Sequence, residues 1–287
     1  MKHLLRFLLC LCSTLAVCQE CTSYVLVNAF DEKEKVPVSL LNFSPQDFDA
    51  RLEKSQVPVV GIKPVEHNRI LFLLDMSGSS KGSDTAGIVD AVVAMAKQAP
   101  EGQPIAFGVF AERALFTSGF FPSAQQRNPG IDEIVSHAGS LGKSAAFFDV
   151  LHEALMQFGQ HQPGDTIFLI AEGMDRTSKL SYEDLEKEFS AKGTRLLVGI
   201  RSGRSAFPLI ARGISLANLA ATTGGGAVGM NGLGWPNITS SGYLVAINLP
   251  PDMNKPKSWK PKLRDSTKAT FGKPTLIYPQ HLAPCNR

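Results

Sequence analysis

A short, uninterrupted apolar segment at residues 70–74 constrains the fold of this chain more than any other feature. Arg69 stands before it and Asp75 directly after it. A run of this length without polar alternation is typical of a strand that is covered on both faces, as in a parallel sheet between helices. In open sheets of this kind, ligands bind in the crevice at the carboxyl ends of the strands. The side chains that follow Leu74 are therefore candidates for a binding site.

Strand-like and helix-like segments alternate from residue 69 onward. Apolar residues at spacings of three and four predict an amphipathic helix over residues 84–97. Further buried strands are predicted at 104–110, 166–170 and 194–200, and further helices at 147–155, 182–189 and 214–221. This alternation predicts an α/β fold: a doubly wound, mostly parallel sheet with helices on both faces.

The two ends of the chain differ in character from this middle part. We expect a signal peptide over 1–18, a β-rich extension over 19–66, the α/β domain over 67–232 and a second β-rich extension over 233–287. Strands are predicted at 23–27, 36–41, 56–62, 242–247 and 275–278, and a helix is predicted to begin at Ser44 and Pro45. We expect the two extensions to pack together on one side of the α/β domain.

The first 18 residues have the pattern of a secretory leader. Lys2 and Arg6 precede an apolar run that is too short to span a bilayer and ends in small residues. We expect secretion into the periplasm or the extracellular space, with cleavage after Cys18, although the segment 15–18 also resembles a lipoprotein box with lipid on Cys18. Without the leader, 27 basic residues face 26 acidic ones (29 minus Lys2 and Arg6, against 26), so no charge excess favours nucleic acid.

Cys21 and Cys285 are the two cysteines that remain after such a cleavage. In an oxidising compartment a surviving pair favours a disulfide, here between the two ends of the chain. Two separate thiols are the alternative.

The polar residues after the first strand carry a recognisable pattern. Asp75-x-Ser77-x-Ser79 after an apolar strand resembles the metal-ion-dependent adhesion site of von Willebrand factor type A domains. The order of segments over about 67–232 is similar to the same family, and the whole arrangement is similar to von Willebrand factor A-related proteins that bacteria such as acidobacteria secrete. The resemblance implies that Ser77 and Ser79 bind a divalent cation directly and that Asp75 holds a metal-bound water.

The same resemblance implies two further loops at the site, and this chain departs from the family pattern in both. Where the family has an aspartate before glycine, this chain has Glu172, which keeps the charge on a longer side chain. Where the family has a threonine four residues before an aspartate, the count back from Asp149 gives Ala145, which offers no side-chain oxygen. Ser144 is adjacent and would serve if the loop shifts by one residue, although the neighbouring Lys143 would repel a cation.

These observations predict a non-enzymatic interaction or adhesion module. Mg²⁺, or Mn²⁺ or Ca²⁺ in its place, would bind at the hard oxygen ligands and accept a carboxylate from a protein or cell-envelope partner. The alternative is a metal-independent structural or assembly protein of the envelope, in which Ser77 and Ser79 cap the next helix and Asp75 satisfies backbone donors.

Two patterns in the sequence resemble enzyme motifs only in part. Ser77 lies at a predicted strand-to-helix turn, but the stretch is not the Gly-x-Ser-x-Gly of a hydrolase. The segment 142–144, Gly-Lys-Ser, lacks the glycine spacing and the preceding strand of a phosphate-binding loop. We therefore expect neither hydrolysis nor nucleotide binding.

Overall fold

The structure is a computed structural model that describes residues 21–31, 36–77, 83–171, 175, 177–200, 210–211, 214–229, 242–271 and 273–285. Its strands are β1 (Cys21–Asp31), β2 (Val36–Pro37), β3 (Phe48–Leu52), β4 (Ser55–Val57), β5 (Val59–Pro64), β6 (Ile70–Asp75), β7 (Ile105–Phe110), β8 (Ala114–Phe116), β9 (Thr166–Ile170), β10 (Arg195–Ile200), β11 (Ile210–Ala211), β12 (Ile214–Ser215), β13 (Gly226–Gly229), β14 (Tyr243–Leu249), β15 (Lys257–Leu263), β16 (Thr275–Ile277) and β17 (His281–Leu282). Its α-helices are α1 (Ser83–Gln98), α2 (Ala124–Ser136), α3 (Phe147–Met156), α4 (Tyr182–Lys192), α5 (Leu216–Thr222) and α6 (Asp265–Phe271).

The central sheet is the predicted doubly wound parallel sheet. Its order is β13-β10-β9-β6-β7-β8, and each neighbouring pair is parallel except the hairpin of β7 and β8. Strand β6 lies between β7 and β9. The chain therefore adds β7 on one side of β6 first and later adds β9 on its other side. Such a reversal of strand order is the topological switch point at which α/β sheets bind ligands.

Helices cover both faces of this sheet, as predicted. On one face, β6 buries Ile70, Phe72 and Leu74 against α1 and α2, and on the other it buries Leu71 and Leu73 against α3, α4 and α5. All six residues of β6 are buried, which explains why the sequence shows an unbroken apolar run instead of alternation.

The terminal segments form two antiparallel sheets that pack on each other. One has the order β16-β1-β14-β5, and the other has the order β17-β15-β3-β4. Val27 and Val245 from the first sheet share one hydrophobic cluster with Trp259 and Leu263 from the second. The two extensions therefore pack together, and the seven residue pairs between β1 and β14 join the ends of the chain directly. The domain boundaries at 66/67 and 232/233 remain predictions.

Three local predictions in the extensions are wrong in detail. The helix expected at Ser44 is a three-residue 3₁₀ turn, Pro45–Asp47, after which the chain extends into β3. The strand expected over 36–41 is limited to β2, and a 3₁₀ turn follows it at Leu40–Asn42. The strand expected over 56–62 is divided into β4 and β5 at Pro58, which has no N–H to donate to a strand partner.

The structure contains the predicted disulfide between Cys21 and Cys285, whose Cα atoms are 6.1 Å apart. Cys21 begins β1 in one terminal sheet, and Cys285 follows β17 of the other. The bridge therefore links the two sheets as well as the two ends. Among the described residues no helix is long and apolar enough to cross a membrane.

Candidate metal centre

Asp75 and Ser77 lie at the carboxyl end of the central strand. Asp75 is the last residue of β6, and its side chain is buried, with 1% of the residue exposed. Its Oδ1 accepts a hydrogen bond of 2.9 Å from the backbone N–H of Ser77, which is itself buried. This bond closes a tight turn directly after the strand. The structure thus places two of the predicted ligand residues together at the topological switch point.

Two further predicted ligands, Ser79 and Glu172, lie outside the described residues. The last described residue before Glu172 is Ala171, which is buried and follows β9. Strand β9 pairs with β6 up to Leu74 and Ile170. The third loop of the predicted site therefore leaves the sheet next to Asp75.

We call the carboxyl end of the sheet around Asp75, with its loops, the rim. Ser144 and Ala145 reach this rim from the β7 side of Asp75. The backbone N–H of Ala146 donates to the carbonyl of Ala111, just after the point where β7 pairs with Asp75. Ala145 is buried and Ser144 is half-buried. The structure brings Ser144 to the rim, while its role as a ligand remains a prediction.

Glu112 is a rim residue that the sequence analysis missed. Its Oε1 accepts hydrogen bonds from the backbone N–H groups of Lys143 (3.1 Å) and Ser144 (3.2 Å). These two bonds, led by that from Lys143, lower the pKa of the exposed Glu112 carboxyl. Gly142 before them has a φ of +102°, and a Cβ there would lie 2.6 Å from the Glu112 side chain, so the loop requires glycine at this position. Glu112 thus adds a negative charge beside Lys143.

Asp175 is a second rim residue that was missed. Its Oδ1 accepts hydrogen bonds from the backbone N–H groups of Thr177 (3.2 Å) and Ser178 (3.1 Å). The Thr177 hydroxyl donates to the carbonyl of Ala145, so this loop contacts the loop that carries Ser144. Asp175 is buried, with 6% exposed, and its Oδ2 has no hydrogen-bond partner in the part of the chain that the structure describes.

Reciprocal capping ties this third loop to the start of α3. The Ser178 hydroxyl accepts from the backbone N–H groups of Phe148 (3.0 Å) and Asp149 (3.3 Å), which are otherwise without helical partners. In return, the Asp149 carboxylate accepts from the backbone N–H groups of Lys179 and Leu180 at 2.8 to 3.0 Å. The two loops therefore hold each other in position before any ligand arrives.

The oxygen atoms on this rim suit a hard divalent cation. Across the described ranges, no group of three or more His, Cys, Asp or Glu side chains lies close enough together to hold a metal by itself. The rim instead offers the carboxylate of Asp75, the hydroxyl of Ser77 and the buried Oδ2 of Asp175, and Mg²⁺ and Ca²⁺ bind such oxygens. A buried carboxylate oxygen without a partner is costly and uncommon. A cation at this rim would compensate its charge.

No family model and no curated protein match this sequence. Solved structures do. The chain is similar to von Willebrand factor type A structures. One is the von Willebrand factor type A protein from Catenulispora acidiphila, at 10% identity and a TM-score of 0.46, with 92% of this chain and 74% of that chain covered. Another is the conserved hypothetical protein BatB from Bacteroides thetaiotaomicron, at 15% identity and a TM-score of 0.44, with 56% and 89% covered.

A third similar structure is proximal thread matrix protein 1 from the mussel byssus, which was solved with a zinc-occupied MIDAS motif. The identity is 18% and the TM-score is 0.41. The match covers 50% of this chain and only 41% of the mussel protein.

Proposed function

We propose that this protein is a secreted, non-enzymatic interaction module that binds a carboxylate of a protein or cell-envelope partner through a divalent cation. Asp75 is the observation that carries the proposal, because its buried carboxylate ends the central strand at the topological switch point. The proposed ligand residues are Asp75, Ser77, Ser79 and Glu172, with Ser144 assisting.

The charges on the rim explain why binding would depend on the cation. Asp75 at the end of β6, and Glu112 and Asp175 on neighbouring loops, place three carboxyl groups at the same end of the sheet. An acidic partner is repelled by such a rim, since like charges at short range raise the free energy of the complex. A bound Mg²⁺, Mn²⁺ or Ca²⁺ would supply the Lewis-acidic centre that accepts the partner's carboxylate. The capped loops around it would set which partner fits.

The proposed location outside the cytoplasm is supported by the disulfide. Cys21 and Cys285 are paired, and structural disulfides persist mainly in oxidising compartments. The leader at residues 1–18, with its alternative lipid site at Cys18, lies outside the described residues. Mass spectrometry of the protein recovered from cell fractions would identify its first residue and any lipid.

The cation proposal is tested by titrating Mn²⁺ and Mg²⁺ into the protein in a calorimeter. We expect Asp75→Asn and Ser79→Ala each to weaken Mn²⁺ binding by about tenfold or more, which corresponds to the loss of one good ligand. Asp175→Asn keeps the Oδ1 acceptor but removes the charge, so we expect a smaller loss of affinity. Ser55→Ala, at an exposed serine of β4 in the terminal sheets, serves as the matched control and should bind as the parent does.

The same samples separate this proposal from a metal-independent structural role. With a functional cation site, adding Mn²⁺ raises the melting temperature and EDTA reverses the change, because a ligand that binds the folded state stabilises it. Equal titration heats for parent and Ser79→Ala, together with a melting temperature that EDTA does not change, would favour the metal-independent structural role.

A further inference from the structure

A large cleft lies at the opposite end of the central sheet from the candidate metal centre. Its volume is about 790 Å³, and its walls come from β1 (residues 22–26), the loop before β9 (159–163), the end of α4 with the start of β10 (189–195) and the chain end (281–285). The cleft therefore lies between the amino ends of the parallel strands and one of the terminal sheets. Its size is that of a pocket for a small organic ligand.

The lining of this cleft is cationic. Its charged residues are Lys192 and Arg195, and no aspartate or glutamate is among the residues that line it. A concave site lined by charge of one sign concentrates ligands of the opposite sign. The cleft thus favours an anion.

Arg195 is the unusual residue in this lining. Only 2% of it is exposed, and burial lowers its pKa to about 10, so the guanidinium stays charged at neutral pH. Its Nε donates to the Thr166 hydroxyl (3.2 Å), and its Nη1 donates to the side-chain oxygen of Asn28 (2.9 Å) when that amide is oriented to accept. Its Nη2 has no hydrogen-bond partner among the described residues. A buried guanidinium normally has a carboxylate or phosphate partner.

The nearby carboxylate of Asp165 is already occupied. Arg69 binds it through two hydrogen bonds, Nε to Oδ1 at 2.9 Å and Nη2 to Oδ2 at 2.7 Å. Within the part of the chain that the structure describes, Arg195 has no ion pair with any carboxylate. The described residues therefore provide no counterion for the positive charge of Arg195.

Lys192 is held at the cleft by a neutral histidine. Its Nζ lies 3.2 Å from His161 Nε2, and because an ammonium only donates, Nε2 must accept. His161 Nδ1 then carries the proton and donates to the Thr194 hydroxyl at 3.0 Å. The carboxyl end of α4 also faces the cleft, and Lys192 in its last turn offsets the partial negative charge of that helix end.

Strand β1 offers uncharged donors along the same cleft. On one side it pairs with β14 from Cys21 to Val27, but on its other side β16 pairs only with Asn28 to Phe30. The part of β1 that lines the cleft, residues 22–26, therefore has one edge without a strand partner among the described residues. In an antiparallel strand, alternate backbone N–H groups point to that edge.

We propose that this cleft binds an organic oxyanion, a small molecule whose carboxylate or phosphate group pairs with Arg195 and is supported by Lys192. Guanidinium and oxyanion have matching geometry, and charge-assisted hydrogen bonds of this kind are the strong ones. The open edge of β1 supplies further donors to the rest of the ligand. This site is independent of the candidate cation site at the other end of the sheet.

Citrate and inorganic phosphate are the probes for this proposal, each titrated by calorimetry at an ionic strength matched with sodium chloride. We expect at least one of them to bind and to raise the melting temperature, and the stronger of the two identifies carboxylate or phosphate as the preferred group. Arg195→Gln should weaken that binding by about tenfold or more, and Lys192→Gln by about threefold. The control is Lys187→Gln, which removes a lysine of the same helix that pairs with Asp184 outside the cleft.

Lys192→Gln keeps the test decisive if Arg195→Gln fails to fold, since Lys192 is only half-buried. Weaker binding in Lys192→Gln than in Lys187→Gln then supports the site. The proposal is overturned if neither probe binds the parent, if a folded Arg195→Gln binds as the parent does, or if Lys187→Gln loses as much affinity as Lys192→Gln.

Discussion

At the scale of single residues, His161 shows how the cationic surroundings of the cleft change a side chain's chemistry. Burial and the positive charges of Lys192 and Arg69 lower its pKa from 6.5 to about 4. The imidazole is therefore neutral in the folded protein at pH values where the unfolded chain would already bind a proton. Its hydrogen bonds to Lys192 and Thr194 depend on that neutral form.

The protein should lose stability through His161 as the pH falls. Between about pH 6.5 and pH 4 the unfolded state binds one more proton than the folded state, so the contribution of His161 is fully present above 6.5 and is lost toward 4. The expected loss is roughly 2–3 kcal/mol of unfolding free energy. Urea denaturation of parent and His161→Gln from neutral pH down to about pH 4.5 measures it as the change in their difference. Parallel pH profiles for the two proteins would contradict the assignment.

At the scale of elements, Arg127 fixes α2 to its neighbours from a completely buried position. Its guanidinium donates to the backbone carbonyls of Ala96 at the end of α1 (2.6 Å), of Gln103 (2.7 Å) and of Pro122 (2.7 Å). One side chain thus satisfies carbonyls from three segments that meet at the amino end of β7.

Replacing Arg127 with methionine should destabilise the protein by about 3 kcal/mol or more, because it removes the guanidinium donor from the buried carbonyls of Ala96 and Gln103. Urea denaturation measures the loss, and Gln125→Met, at an exposed position of the same helix, is the matched control. If both variants unfold at the same urea concentration, the carbonyls must find water or other donors.

The elements that the sequence predicts well are those whose pattern is local. The four predicted strands between residues 70 and 200 are confirmed to within one residue, because both faces of each strand are buried and each run is apolar except at its ends, as at Thr166 and Arg195. Helix α2 was not predicted, since Pro129 stands inside it and its mean character is polar. Strand β13 contains two glycines in four residues and is a strand only through its pairing with β10.

The candidate site likewise contains residues that a local sequence pattern identifies and residues that only the folded loops identify. Asp75 and Ser77 follow an obvious strand, so the sequence alone places them at its carboxyl end. Glu112 also follows a buried strand, β7, and the same rule could have identified it, but no motif surrounds it. Asp175 is recognisable only from its hydrogen bonds with Thr177 and Ser178 and from its unpartnered Oδ2, which depend on how the loop folds.

At the scale of the whole molecule, the two ends of the chain form the terminal sheets together. Neither terminal sheet can form from one end alone, because β1 needs β14 and β3 needs β15. The hydrophobic core between the sheets likewise draws on both ends, from Val27 to Trp259. Sequence patterns predict such strands but not their partners, since the pairing joins segments from opposite ends of the chain.

The Cys21–Cys285 disulfide should stabilise the paired terminal sheets, because it restricts the unfolded chain. It spans 264 residues, so its loss should reduce the unfolding free energy by about 2–4 kcal/mol. Urea denaturation of the double variant Cys21→Ser/Cys285→Ser against the oxidised parent measures the change. Reductant should bring the parent to the variant's stability and leave the variant itself unchanged. Hydrogen exchange should accelerate more in β1 and β17 than in β6 and β9, because the bridge holds the terminal sheets and only indirectly the parallel sheet. Superimposable urea curves for oxidised parent and double variant would mean that strand pairing alone closes the molecule.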